Sequence, residues 1–191
     1  MRRYLQKQQV EDIIRGATLL GAGGGGSAKF SHKMIEEIKD VVIVDPSDIS
    51  DESTVVVVAG TGSQAILLKE GWRGEEEPAL EMMERVLNRK VDYIVAAETG
   101  GFNSITPLHA GSEKGLPVID GDGAGRGAPE LEQTSFHLGG ISIEPICLAD
   151  SRGNSCALYP RDARMAEEMT RAVVAIFGMT AGIACYPMTG K

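Results

Sequence analysis

Leu116-Pro117-Val118-Ile119 runs directly into Asp120-Gly121-Asp122-Gly123-Ala124-Gly125-Arg126-Gly127-Ala128-Pro129-Glu130, and this stretch limits the possible folds more than any other. The apolar run reads as a strand. The glycines after it allow positive φ and close backbone approach. Pro129 suits a first helical turn, where its missing N–H is not needed. The expected order is therefore strand, tight acidic loop, then a helix from about Ala128. In an α/β sheet this places Asp120, Asp122 and Arg126 at the carboxyl end of a strand, the edge where ligands gather. Asp120, Asp122, Arg126, Glu130 and Glu132 are more ionisable groups than a turn requires.

The rest of the chain follows the same grammar. Val10, Ile13, Ile14, Ala17 and Leu20 have helical spacing, which predicts a helix over about 8–20 that stops at Gly21. A second helix is expected over 27–39. Val41 to Val44 and Thr54 to Ala59 are rich in β-branched residues and read as strands. A helix is expected over 75–89, a strand over 93–97, a short helix over 104–113 and a strand over 117–119. Ser142 to Leu148 and Ser155 to Tyr159 form a hairpin pattern, 162–177 a last helix, and Ile183 to Tyr186 the start of a strand. Alternating strands and helices predict an α/β domain whose sheet is largely parallel or mixed, flanked by helices, with a C-terminal hairpin and helix. Residues 1–178 are expected to form one domain. Residues 179–191 would begin a second domain or add a C-terminal strand.

Composition narrows the function. The formal charge is −8 over 191 residues, and without a basic stripe nucleic acid is not an expected partner. No apolar run is long enough to span a bilayer, and no signal core follows Met1. The three cysteines, Cys147, Cys156 and Cys185, have no CxxC spacing, which fits a reducing cytoplasm. Cys147 and Cys156 read as small buried hydrophobes.

Three loops carry candidate chemistry. Glu98-Thr99-Gly100-Gly101-Phe102-Asn103 closes a strand as the Asp120 loop does, so Glu98 and Asp120 or Asp122 would share one crevice. Two carboxylates in a dry cleft can divide acid and base roles, or bind a divalent cation. The run Gly23-Gly24-Gly25-Gly26-Ser27 joins two helices rather than a strand and a helix, so it is not a dinucleotide fingerprint. Its amides would hold an anion at a helix start, or the glycines would serve only as a tight connection. Gly60-Thr61-Gly62-Ser63 offers hydroxyls and amides at another strand end. His109 and His137 fit no standard zinc spacing and read as hydrogen-bonded structural residues.

Taken in order, Leu20-Gly21-Ala22-Gly23-Gly24-Gly25-Gly26, Glu98-Thr99-Gly100-Gly101-Phe102-Asn103 and the Leu116–Glu130 block resemble the N-terminal domain of the S-methyl thiohydantoin desulfurase-like family. The D-x-D-x-x-G-R-x-x-P-E block is the most specific part. The resemblance implies an α/β domain followed by a second domain, and an association with hydantoin metabolism; one family activity removes sulfur from a thiohydantoin ring.

The expectation is a hydrolase-like domain acting on a small cyclic amide or thioamide. Asp120 or Asp122 would activate water, Arg126 would hold developing charge, and Glu98 would protonate the leaving group or help hold a divalent metal ion. Gly24, Gly25, Gly26, Ser27, Gly100, Gly101, Asn103 and Glu130 would contact substrate. The alternative is a non-catalytic binding or assembly subunit with another domain docked over these loops. Expected partners are a small-molecule substrate, a second domain or partner subunit, and further copies of the chain.

Overall fold

A computed structural model describes residues 2–191. The chain opens with β1 (Arg3–Leu5), α1 (Lys7–Gly21), α2 (Ala28–Glu37) and β2 (Val41–Val44). Then come β3 (Thr54–Gly62), α3 (Gln64–Glu70), α4 (Glu76–Leu87), β4 (Tyr93–Ala96), α5 (Thr106–Lys114) and β5 (Val118–Asp122). It ends with α6 (Ser135–Leu138), β6 (Ile146–Ala149), β7 (Ser155–Leu158), α7 (Ala163–Ile176) and β8 (Thr180–Thr189). One eight-stranded sheet has the order β1-β2-β5-β4-β3-β8-β6-β7. Strands β2, β5, β4 and β3 pair in parallel, and the remaining pairings are antiparallel. The fold is α/β with a mixed sheet.

The Thr54–Ala59 run explains the layering. It is buried at every position, as expected of a central strand covered on both faces. Val56 and Val58 belong to one apolar core with Val10 and Ile14 of α1, Phe30 and Met34 of α2, and Leu80 and Met83 of α4. Val55 and Val57 point the other way, toward Ala166 and Val174 of α7. Residues 180–189 lie in the middle of the sheet, between β3 and β6. At Tyr186 and Pro187 the register with β3 shifts: Val55 faces Met188 while Val57 faces Cys185. Tyr186 takes up the bulge with φ +47°, and a bulge is where a strand tolerates proline.

The helix expected from Ala128 is absent, and the next helix is the short α6, capped by Thr134. The backbone groups of 128–131 are engaged elsewhere. Ala128 N–H donates to a Glu98 carboxylate oxygen, and Leu131 N–H donates to Glu167 Oε2 at 3.0 Å. The Leu131 carbonyl accepts from the Tyr186 hydroxyl at 2.8 Å, and the Pro129 carbonyl accepts from Arg171 at 3.4 Å. Long-range partners take up the bonds that a helical ladder would use, so the segment runs as a strap. Among the described residues no helix is long and apolar enough to cross a membrane.

Candidate functional site

The parallel strands β3, β4 and β5 end side by side, and a cavity of about 530 Å³ opens beside the ends of β3 and β4. Its floor comes from Ala59 and Gly60 of β3, and its far wall from α7 and β8. The 128–134 strap closes the remaining side. Apolar surface from Val174, Ile183 and Ala59 surrounds a few polar groups, the usual make-up of a small-molecule site.

Glu98 is the most constrained of these polar groups. It sits one residue past the Ala97 that follows β4 and is only 8% exposed. Oε1 accepts from Asn103 Nδ2 at 2.7 Å, and Oε2 accepts from Ala128 N–H. Asn103 in turn accepts from Gly60 N–H at 2.9 Å. One hydrogen-bonded chain thus ties β3, the 98–103 turn and the strap together. Burial raises the Glu98 pKa above its ordinary 4.5, assisted by the nearby Asp122 charge and opposed by its two donors.

The glycine turn between α1 and α2 supports this arrangement from behind. The Gly25 carbonyl accepts from Phe102 N–H at 3.1 Å and from Asn103 N–H at 3.0 Å. A Cβ on Gly24 would lie 3.0 Å from Gly127 Cα, and one on Gly25 would lie 2.5 Å from Gly100 Cα. The turn therefore meets the same sheet edge as the Asp120 segment. Gly24, Gly26 and Ser27 line a separate recess with Gly101, Lys29 and His32. Ser27 caps α2 by accepting from Lys29 N–H at 3.3 Å.

Of the residues singled out from sequence, the cavity gathers Glu98, Asn103, Glu130 and the whole Gly60-Thr61-Gly62-Ser63 loop. Gly100 and Gly101 form the turn behind it. Asp120, Asp122 and Arg126 do not line it. Asp120 is exposed and ion-paired with Arg3. Arg126 Nε lies 3.3 Å from the Gly127 carbonyl. Asp122 accepts from Thr99 Oγ1 and Ala124 N–H, both at 2.7 Å, and from Gly125 N–H. These bonds fold the chain back after β5. Asp122→Ala is expected to cost about 1–3 kcal/mol of stability, the loss of three hydrogen bonds to a carboxylate of which only the Thr99 donor is buried. Asp122→Asn should cost less, because its amide can donate to the Thr99 hydroxyl while its carbonyl keeps the two N–H groups. Thermal melts of the two variants check that order.

The sequence reading missed the far wall. Thr170, Arg171 and Glu167 on α7 and Tyr186 on β8 all line the cavity. Arg171 pairs with Glu167 at 2.6 Å. Tyr186 is buried, and burial pushes its hydroxyl up to about 12. An amphipathic helix and a terminal strand carry no local sign of what they will face. The positive φ at Tyr186 appears only once β8 is paired.

Outside the cavity, His109 is buried with Nδ1 2.6 Å from Glu76 Oε1 and Nε2 3.3 Å from Glu37 Oε2. Burial would lower its pKa, but the Glu76 and Glu37 carboxylates outweigh that and raise it. The ring is thus buried and hydrogen-bonded between two carboxylates. Cys147 and Cys185 are also buried, which pushes the Cys147 thiol up to about 12 and raises Cys185 as well. Neither has the lowered pKa of a nucleophile. Among the described residues no group of three or more His, Cys, Asp or Glu is placed to hold a metal ion.

Residues 8–159 match the family described as S-Me-THD-like, N-terminal domain. The fold is also similar to the crystal structure of a protein from Chromobacterium violaceum, with TM-score 0.87 and 26% identity over 98% of this chain and 55% of that one. This chain thus spans about half the length of that protein. No functionally curated protein matches it.

Proposed function

The chain belongs to the S-Me-THD-like family through its N-terminal domain, and on that premise we propose that it takes part in hydrolysis of a small cyclic amide or thioamide of the hydantoin or thiohydantoin class, with Glu98 as general base. One observation carries this reading: a buried carboxyl, oriented by two donors and raised in pKa, opens onto the cavity.

The chemistry follows from that group. Water adds to the sp² ring carbon, and Glu98 takes one of its protons. Negative charge develops on the exocyclic oxygen or sulfur, or on the ring nitrogen of the C=N bond in an S-methyl ring, and the Arg171 guanidinium, paired with Glu167, is the cation that lines the cavity. Collapse expels the ring nitrogen or the sulfur, Glu98 returns the proton to the leaving atom, and where sulfur leaves Glu98 takes the remaining hydroxyl proton as the C=O bond forms. A raised pKa suits both transfers, because it brings the acid and base forms closer in free energy near neutral pH.

The matched Chromobacterium protein extends well beyond this chain, and Ile176 (75% exposed) and the cavity-lining Met179 (46% exposed) present apolar surface beside the site. A second domain or partner subunit covering that rim fits the reading. The test is to incubate the protein with hydantoin, 2-thiohydantoin and S-methylthiohydantoin, with and without added divalent cation. Ring absorbance and released sulfide or methanethiol are followed. Consumption of one ring is expected. If the protein binds none of them and turns none over, the proposal fails.

A further inference from the structure

On the α4 and α5 side of the sheet lies a buried polar cluster that the cavity chemistry does not use. Glu76 of α4 is fully buried. Its Oε2 accepts at 2.5 Å from Nε1 of Trp72, the one tryptophan of the chain, and its Oε1 lies 2.6 Å from His109 Nδ1. His109, on α5, is only 4% exposed. Its other ring nitrogen, Nε2, lies 3.3 Å from Glu37 Oε2 of α2.

A carboxylate only accepts, and a neutral imidazole carries one N–H. Bonding to both carboxylates therefore needs both ring protons, which makes His109 a cation. Burial lowers its pKa, but the Glu76 and Glu37 charges outweigh that and raise it above the ordinary 6.5. Glu77 of α4 adds to this field and is itself paired with Lys114 of α5 at 3.5 Å. Lys114 also holds Glu81 of α4 at 2.5 Å. Glu75 turns back and accepts from Arg73 N–H at 2.8 Å.

The two carboxylates that bond the ring are unequal. Glu76 has no solvent to turn to, so a single remaining ring N–H stays with it. Glu37 is half exposed. When Nε2 loses its proton, Glu37 faces a lone pair and its side chain turns to water. The ion pair between α2 and α5 is then gone. The same α2 backs the 98–103 turn. Its Ser31 hydroxyl donates to the Gly101 carbonyl, and Phe30 meets Phe102 edge-on with ring centroids 5.9 Å apart. Phe102 meets Trp72 in the same way at 4.9 Å.

We infer that His109 is a proton-operated clip: as the imidazolium it ties α5 to both α4 and α2, and loss of the Nε2 proton frees Glu37 and loosens α2 behind the turn that carries Asn103. The clip is a property of the fold and does not rest on the hydrolytic reading, so a protein that turns over no ring still tests it.

The test follows the histidine side chains and the Gly101 and Asn103 amides by nuclear magnetic resonance, in wild type and Glu37→Gln, across the pH range where histidine titrates. The exposed His32 and His137 are assigned by replacing each with glutamine. His109 should pass from doubly protonated to Nδ1–H with a midpoint above 6.5, and the two amides and Trp72 fluorescence should move with that midpoint. Glu37→Gln should lower all of these midpoints together by roughly 0.2–0.7 pH, as loss of a half-exposed ion pair implies. Wild type should melt above Glu37→Gln on the acid side only. A raised folded pKa gives stability that is full below the unfolded pKa and lost as pH rises through the folded one. His109 titrating at or below 6.5, a midpoint unmoved by Glu37→Gln, or Gly101 and Asn103 signals that ignore the His109 midpoint would each overturn the inference. So would a melting difference between the two proteins that does not change with pH.

Discussion

Glu98→Gln is expected to lower turnover by about 10²–10⁴-fold, the usual contribution of a positioned general base, on whichever ring the wild type consumes. Both Glu98 oxygens accept from N–H donors, Asn103 Nδ2 and Ala128 N. Glutamine turns one acceptor into a donor facing a donor, so some stability is lost as well, about 1–3 kcal/mol. The kinetic loss should persist at temperatures where the variant is fully folded by its melt. The pH dependence separates the roles further. Burial raises the Glu98 pKa above 4.5, so activity that needs the ionised base rises with pH through that higher value. Stability moves the other way: a carboxyl whose folded pKa is raised contributes stability present below its unfolded pKa and lost as pH rises through the folded one. Glu98→Gln should flatten both trends across that window. Turnover within a few-fold of wild type, with the acid limb unchanged, would remove Glu98 from the chemistry.

Much of the framework could be read from the residues. Thr54 to Val58 can hardly be anything but a buried strand, and it is the sheet's centre. Glu98-Thr99-Gly100-Gly101 announced a strand end that places a carboxyl at the ligand edge, and Glu98 is there on the cavity. The three-residue β1 and the seven-residue α3 escaped because neither is long enough to show a period. Ala128-Pro129-Glu130 looked like a helix start on local grounds. It became a strap because Glu98, Glu167, Arg171 and Tyr186, all distant in sequence, take its backbone groups. The same distance hid half of the cavity. Thr170 and Arg171 sit in a helix whose apolar spacing predicts only that one face is buried. Which buried surface they meet depends on β8 inserting beside β3, a pairing that no local pattern encodes. Asp122 shows the converse: a carboxylate conspicuous in sequence turns out to be bonded into its own turn.

A larger structural effect is expected at Gly100 than at the charged residues of the site. An ideal Cβ there would fall 2.3 Å from Gly25 Cα and 2.5 Å from Gly25 O. Both are backbone atoms, so no side-chain rotation can relieve the contact. Gly100→Ala must push the glycine turn and the 98–103 segment apart. Overpacking of this kind costs about 1–3 kcal/mol and sometimes more, and each kcal/mol lowers the melting temperature of a chain this size by roughly 2–4 °C. The shift would also reach the cavity. The Gly25 carbonyl accepts from Asn103 N–H, and Asn103 holds Glu98 and Gly60, so separating the two turns loosens the proposed base as well. Gly16 serves as the control. It lies within α1, and a Cβ there meets nothing within 4 Å. Gly16→Ala should raise the melting temperature, since alanine is favoured over glycine in a helix by about 0.5–1 kcal/mol. Opposite shifts from the same chemical change would show that close backbone contact, not glycine content, fixes the turn behind Glu98. A Gly100→Ala protein that melts no lower than wild type would mean that the two turns can separate freely and that the glycine turn does not hold Asn103 and Glu98 in place.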